Sequence, residues 1–370
     1  MRLKGEKLKI LLISPLPPPA GGIATWTKLF INSEIAKEHN VDLINSAIKG
    51  KRINKLEKKF IVDEIKRVAS IYLKVRKFLK DDYDIVHINC AGSTLGMIRD
   101  YVCAKKAKKT TAKVVFHFHC DTKFMIKGKF PEFIFRKICH KADQILCLNQ
   151  SSQEYIKYKT TKESIKIPNF IDFDNRKFIR EEISSQITNI IFVGHVMKSK
   201  GCADIISIAE KLPDINFKLI GKVAEEFKML PKLKNIQYCG EISKEEVLNN
   251  MQSADLLLFP TYTEGFPNVV LEAMACGLPI ITTPVGAIPE MLEDKGGVLV
   301  DVGDINGYIT AINTLQDKKL RISMSLWNQE KVFKSYTTKI AMETIFSEYA
   351  KISRNQINNY YKEQPMNLKI

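Results

Sequence analysis

Short apolar runs of four to seven residues recur along this 370-residue chain, set apart by turns and helix-length segments, and they restrict it to a parallel-sheet α/β architecture. In the first half they are Leu8–Ser14, Asp84–Asn89, Lys113–His119 and Ala142–Leu148. In the second half they are Asn189–Gly194, Phe217–Gly221, Ile236–Gly240, Ala254–Pro260, Pro279–Thr283 and Gly297–Val300. Strands covered on both faces carry no polar alternation, and parallel neighbours need crossovers that the intervening helical patterns supply. Two doubly wound α/β domains with a cleft between them follow, joined through a polar stretch at about residues 172–187. The last helical stretch, from about Ser323 to Tyr361, is long, amphipathic and suited to packing across both domains.

Composition removes several classes. Apolar residues make up 45% and charged residues 26%, which excludes a disordered chain. The eight cysteines form no CxxC pair and several lie in apolar runs, Cys276 among them. A reducing compartment is expected, with neither a disulfide framework nor a zinc site. Basic Met1–Lys9 followed by Ile10–Ser14 imitates a signal peptide, but the apolar core is short and Pro15, Pro17, Pro18 and Pro19 follow it. No uninterrupted apolar stretch approaches the ~18 residues of a membrane span. A cytoplasmic protein is predicted.

Charge is divided unevenly. Residues 1–180 carry 37 basic and 18 acidic side chains, a net of +19, and residues 181–370 carry 20 and 23, a net of −3. The formal total of +16 therefore belongs to the first half, and the two halves are expected to meet different partners. From Lys51 to Lys80 there are 11 basic and 3 acidic residues, with apolar residues at helical spacing. Lys105, Lys106, Lys108 and Lys109 form a second block, and Lys123, Lys127 and Lys129 a third. A basic amphipathic helix over 51–80 can lie on anionic lipid or pack into the domain with a solvated lysine face.

Open α/β sheets bind ligands beyond the carboxyl ends of their strands, so the residues after each run carry the chemistry. After the first stand Gly21 and Gly22, opening a helix; backbone amides there can approach an anion, although such a pair also makes a plain tight turn. The pattern is not GxGxxG, which disfavours a dinucleotide-dependent oxidoreductase. Gly194, His195 and the segment through Lys200 precede another helix, and a lysine beside orphan amides suits a diphosphate as well as a solvated turn. The densest segment runs from Phe259 to Pro279. It has Asn268 as an N-cap, Gly277 after the helix end, Glu264 in the loop and Glu272 on the helix. Two carboxylates and a helix amino end in one small volume suit sugar or ribose hydroxyls and a phosphate.

Glu264 and Glu272 form an E-x7-E pair inside PTYTEGFPNVVLEAMACGLPIITTPVGAIPE, which resembles the donor-site signature of the retaining glycosyltransferases of family 4. VVFHFHCD, ADQILCLNQ, IPNFID, FVGHVMKSKG and GGVLVDVGD follow the family's order. The resemblance implies the GT-B fold. An N-terminal acceptor domain would span residues 1–180, a nucleotide-sugar domain residues 181–345, and a helix over residues 346–370 would pack back on the first. It implies that Glu264 holds the donor sugar hydroxyls, Glu272 the ribose hydroxyls and Lys200 the diphosphate, with Gly21 and Gly22 closing from the other domain. The backbone around Gly221 and Ile242 would hold the base, and that of Gly265, Phe266 and Asn268 would flank the sugar. His119 matches the family histidine near the reacting centre, although a histidine held under the sheet is the alternative. Catalytic roles thus fall on His119, Lys200 and Glu264. No cofactor and no metal is implied; the donor is a UDP- or GDP-sugar used as substrate.

The expected activity is transfer of a sugar with retention to a lipid-linked saccharide acceptor in cell-surface polysaccharide assembly, including O-antigen, capsule and exopolysaccharide. The enzyme would be peripheral on the inner face of the cell membrane and held through its basic N-terminal domain. Two other readings stay open. A GT-B sugar-nucleotide epimerase shares the fold and donor but turns over without an acceptor. A non-enzymatic basic protein on membrane or nucleic acid would suit the charge, but no nucleic-acid motif is present and no such partner is expected. The family usually has Arg where this chain has His195, and His binds a diphosphate as a cation only when protonated. His195→Arg is expected to keep or raise donor affinity in a titration with the sugar nucleotide; a large loss would give the position another role.

Overall fold

Each of the apolar runs contains a strand in the computed structural model, which describes residues 7–18, 21–47, 58–172, 182–227 and 233–363. Pro19, Ala20, the basic residues of 51–57, most of the predicted junction (173–181) and the terminal 364–370 lie outside the described residues. The chain divides into two compact units, Met1–Pro168 with Thr338–Ile370, and Asn169–Thr337. The predicted doubly wound α/β architecture is present in both.

The first unit comprises β1 (Lys9–Ser14), α1 (Gly22–Asn32), α2 (Glu34–Lys37), β2 (Asn40–Asn45), α3 (Lys58–Phe78), β3 (Ile85–Cys90) and α4 (Thr94–Ala107). It continues with β4 (Lys113–Phe118), α5 (Thr122–Met125), α6 (Lys129–Lys141), β5 (Gln144–Cys147), α7 (Gln150–Thr160) and β6 (Ile165–Lys166). All six strands pair in parallel in the order β2-β1-β3-β4-β5-β6. Alternate residues divide its two faces. Leu11, Val86, Val114, Phe116 and Ile145 meet Ile71 and Val75 of α3, Met97 of α4 and Phe135 and Ile138 of α6 in one continuous core. These contacts put the described carboxyl-terminal part of the basic 51–80 segment into the domain core.

The opposite face is polar inside. His87 of β3 hydrogen-bonds the hydroxyl of Tyr349 through Nδ1 and Asn89 Oδ1 through Nε2 at 2.9 Å. Asn89 Nδ2 donates to Ser14 Oγ at 2.8 Å, and Ser14 in turn meets Thr27 Oγ1 at 2.5 Å. Trp26 of α1 packs against the group tilted or edge-on, its ring centroid 5.5, 5.3 and 5.1 Å from those of His87, His117 and His119.

The second unit comprises β7 (Asn189–Val193), α8 (Cys202–Lys211), β8 (Asn216–Ile220), β9 (Ile236–Gly240), α9 (Lys244–Ser253) and β10 (Leu256–Phe259). It continues with α10 (Asn268–Ala275), β11 (Ile280–Thr282), α11 (Ile288–Leu292), β12 (Gly297–Leu299), α12 (Ile305–Thr314) and α13 (Lys318–Ser335). Its sheet is also parallel, in the order β12-β11-β10-β7-β8-β9. The carboxylate of Asp255 fixes the two central strands at their amino ends by accepting from the amides of Thr188 and Asn189, each at 2.9 Å. The last helix, α14 (Thr338–Glu363), belongs to the first unit and contributes Tyr349 to its polar face. None of the eight cysteines is in a disulfide, and all but the half-buried Cys239 are buried. Among the described residues no helix is long and apolar enough to cross a membrane.

Burial holds His87 neutral, lowering its pKa from 6.5 to about 3, and pushes those of His117 and His119 well down for the same reason. Protonating Nδ1 of His87 would also remove the bond that Tyr349 donates. A folded-state pKa below the unfolded value gives stability that is complete above the unfolded pKa and is lost as pH falls through the folded one. The denaturant midpoint of the first unit is therefore expected to drop between about pH 7.5 and about pH 5, and His87→Gln to shrink that drop. Equal midpoints at the two pH values would contradict this account.

Candidate active site

The order of the second sheet reverses between β7 and β10, and at such a reversal the loops beyond the carboxyl ends splay apart and leave a crevice. The loops after β7 and β10 are nevertheless tied together at their bases. Gly201 has φ +71°, and a Cβ there would lie 1.9 Å from the carbonyl oxygen of Pro260, so only glycine allows this approach. The amide of Tyr262 donates to Ser199 O at 3.0 Å. The loop after β11 joins them: Gly286, at φ +58°, passes so close that a Cβ would sit 2.2 Å from Glu264 O, and Ala287 N donates to Gly265 O at 3.0 Å.

This arrangement brings Lys200 and Glu264 together. Lys200 ends a short 3-10 turn (Lys198–Lys200) immediately before Gly201 and α8, as the sequence suggests. Its Nζ forms an ion pair with Glu264 Oε1, and the two side chains remain 26% and 14% exposed. Thr261 Oγ1 lies 3.4 Å from the same carboxylate, and the ring of Phe259 lies 5.9 Å below the ammonium. An ammonium with three donors and a carboxylate with free lone pairs can each turn to a ligand while remaining screened by the other.

The helix beyond Glu264 differs in one detail from expectation. Asn268 is the first helical residue of α10 and Pro267 occupies the cap position without a capping side chain, because Pro at the cap has no hydroxyl or amide to offer. The Asn268 side chain is engaged elsewhere: Asn169 Nδ2 donates to its Oδ1 at 3.0 Å and to Phe266 O at 2.9 Å. Asn169 lies in the IPNFID segment, 97 positions before Phe266, and holds the start of α10 in place. A separation of 97 residues puts this pair beyond any local sequence pattern. Tyr262 makes a second such long-range tie. Its hydroxyl donates to Asp204 of α8 at 3.1 Å, tying the glutamate loop to the helix after Lys200.

Glu272 projects from α10 and pairs with Lys244, the first residue of α9, at 3.3 Å. Burial pushes its carboxyl pKa upward, with Lys244 acting in the opposite direction. The glycines at the other strand ends form the adjoining wall, with Gly194 N donating to Ile220 O at 2.9 Å and Gly221 N to Gly240 O at 2.8 Å. Ile242 is half-buried between β9 and the Ser243 cap of α9, and His195 is exposed just after Gly194.

The remaining candidates belong to the first unit. Gly21 caps α1 and Gly22 starts it. The φ of Gly21 is the ordinary extended 173°, and a Cβ there would meet nothing within 4 Å, so the local fold does not itself require glycine. His119 directly follows β4 and lies tilted against His117 with ring centroids 4.0 Å apart. Its Nε2 has no hydrogen-bond partner among the described residues.

Residues 187–318 match the family model described as Glycosyl transferases group 1. The chain is 26% identical to an uncharacterized 41.2 kDa protein in the cps region of Klebsiella pneumoniae, over 72% of this chain and 77% of that one. It is 29% identical to the capsular polysaccharide biosynthesis glycosyltransferase CapM of Staphylococcus aureus, over 48% and 50%. The fold superposes on Anabaena HepE, solved in complex with UDP and glucose, with a TM-score of 0.67 at 15% identity, covering 93% of this chain and 99% of HepE. The crevice at β7 and β10 thus lies within the segment that matches the group 1 glycosyltransferase model, and the two parallel-sheet units have GT-B architecture.

Proposed function

We propose that the protein is a retaining glycosyltransferase of family 4. It would move a sugar from a nucleoside diphosphate sugar to a hydroxyl of a lipid-linked saccharide during cell-surface polysaccharide assembly, at the inner face of the membrane. The observation that carries this reading is the Lys200–Glu264 pair at the sheet reversal, inside the segment that matches the family model. The relatives in a cps region and in capsule biosynthesis favour a polysaccharide product, and HepE with UDP and glucose favours a uridine nucleotide.

In this reading the diphosphate takes one face of the Lys200 ammonium and the amino end of α8, while Glu264 accepts from the sugar hydroxyls. The ribose hydroxyls take the place of Lys244 beside Glu272. The acceptor oxygen bonds to the anomeric carbon as the bond from that carbon to the diphosphate oxygen breaks. The departing diphosphate receives the acceptor proton, so charge and protons balance without a protein nucleophile. Lys200 stabilises the charge that develops on the leaving group, and positioning supplies much of the remaining acceleration. A cation in that position makes the reaction metal-independent in this proposal. Gly22 and His119 enter it through the resemblance.

Lys200→Ala is expected to slow transfer by about two to three orders of magnitude with the fold retained by circular dichroism; activity within about tenfold of the parent would sink the assignment. Glu272→Gln separates binding from stability. Its raised folded-state pKa means that ionised Glu272 detracts from stability as pH rises above the ordinary 4.5. The variant should therefore melt at or above the parent temperature at neutral pH while binding the nucleotide more weakly. A fall in both quantities would make Glu272 a structural residue instead.

A further inference from the structure

In the first unit α4 packs between α3 and α6, and the inner faces of the three helices share one core against the sheet. The described parts of the three basic blocks, separate along the chain, are thereby gathered into one helical layer with α5 at its edge. The outward face of that layer is not simply polar. On α3, Val62, Ile65 and Leu73 fall on one stripe at helical spacing and are 48%, 61% and 60% exposed. This stripe is separate from Ile71 and Val75, which enter the core. On α6, Phe130 and Phe133 are 57% and 53% exposed, and on α5 Phe124 is 46% exposed.

Lysines accompany these side chains. Lys137 Nζ stands 5.3 Å from the Phe133 ring centroid and Lys127 Nζ 4.3 Å from that of Phe124. The sequence of α3 holds seven basic residues and two acidic ones, and one of those acids, Glu64, is already paired with Arg67. Outward apolar residues grouped in this way mark an interaction surface. The charge selects the partner. A second copy would bring the same positive face and be repelled. Bases of a nucleic acid stack on aromatic rings, but Ile65 and Leu73 offer no such platform. Anionic lipid accepts both features, since phosphates meet lysines while phenylalanine and aliphatic side chains enter the interface.

We propose that the outward face of the α3, α4 and α6 layer, with α5 at its edge, docks on an anionic lipid bilayer. This names the surface for the peripheral location proposed above and rests on that reading for its purpose. The full chain should sediment with vesicles of phosphatidylcholine and phosphatidylglycerol, much less with phosphatidylcholine alone, and the binding should weaken with salt. Phe130→Ser with Phe133→Ser, and separately Ile65→Ser with Leu73→Ser, should each lower the partition coefficient by about tenfold or more. Leu326→Ser, an equally exposed change on α13 of the second unit, should leave it unaltered, and all variants should keep the parent melting temperature. Several results would overturn the proposal: equal binding to neutral vesicles, no binding, or binding that both double variants retain. A dimer or a nucleic-acid complex abolished by those variants without vesicle binding would do the same. UDP-sugar binding measured in parallel keeps the two readings apart. Donor binding without vesicle binding removes only this surface, and vesicle binding without donor binding removes the transfer function.

Discussion

The reversal of strand order between β7 and β10 is the constraint on which the candidate site depends. Parallel strands placed side by side have their next helices leaving in opposite directions, so their carboxyl-end loops separate and expose backbone amides and side chains to a ligand. At the amino ends Asp255 ties β7 to β10 through two amides, where charge-assisted bonds of this kind contribute about 1.5–3 kcal/mol each. At the carboxyl ends Gly201 lets the first loop touch the carbonyl of Pro260, and Gly286 lets the loop after β11 touch that of Glu264. A side chain at either glycine would push the loops apart and with them Lys200 and Glu264. The ion pair is thus set by backbone packing, and the two charges are held ready before any ligand arrives.

The polar faces of the two units use opposite electrostatics. In the first unit the three histidines and Trp26 are kept together as neutral rings, with His87 donating to Asn89 Oδ1 and accepting from the Tyr349 hydroxyl, an arrangement that tolerates no added proton. In the second unit the site is built from full charges, each given a partner: Lys200 with Glu264 and Lys244 with Glu272. Burial of Glu272 makes its ionised form costly, and Lys244, itself 59% exposed, offsets only part of that cost. In the proposed reading, ribose hydroxyls donating to this carboxylate would offset the rest of that cost.

Strand positions were legible in the sequence because parallel strands buried on both faces read as unbroken apolar runs. The two strands that escaped are those without that property: β2, NVDLIN at a sheet edge with only Ile44 fully buried, and β6, two residues long. Lys200, Glu264 and Glu272 were legible because short-range motifs carry them. What could not be read were the pairings across long separations. Asn169 reaches Phe266 and Asn268, Tyr262 reaches Asp204, and Lys244 reaches Glu272. Each depends on how two strand-end loops settle, which no local pattern encodes. The N-cap position of α10 failed for a related reason, since the Asn268 side chain is recruited by Asn169 before it can cap.

The uneven charge acquires a physical meaning once helices are assigned. In the second unit the lysines at the site, Lys200 and Lys244, are each matched by a glutamate. The surplus of the first half is concentrated on crossover helices whose inner faces are committed to the core, and a helix can leave lysines outward at little cost in water. Leaving Phe130, Phe133 and Leu73 outward is different, because each forgoes burial worth about 1.5–3 kcal/mol. Positive charge alone would be explained by solubility, and exposed apolar residues alone by chance. Their coincidence on one helical layer is explained by a partner that is anionic at its surface and apolar just beneath it.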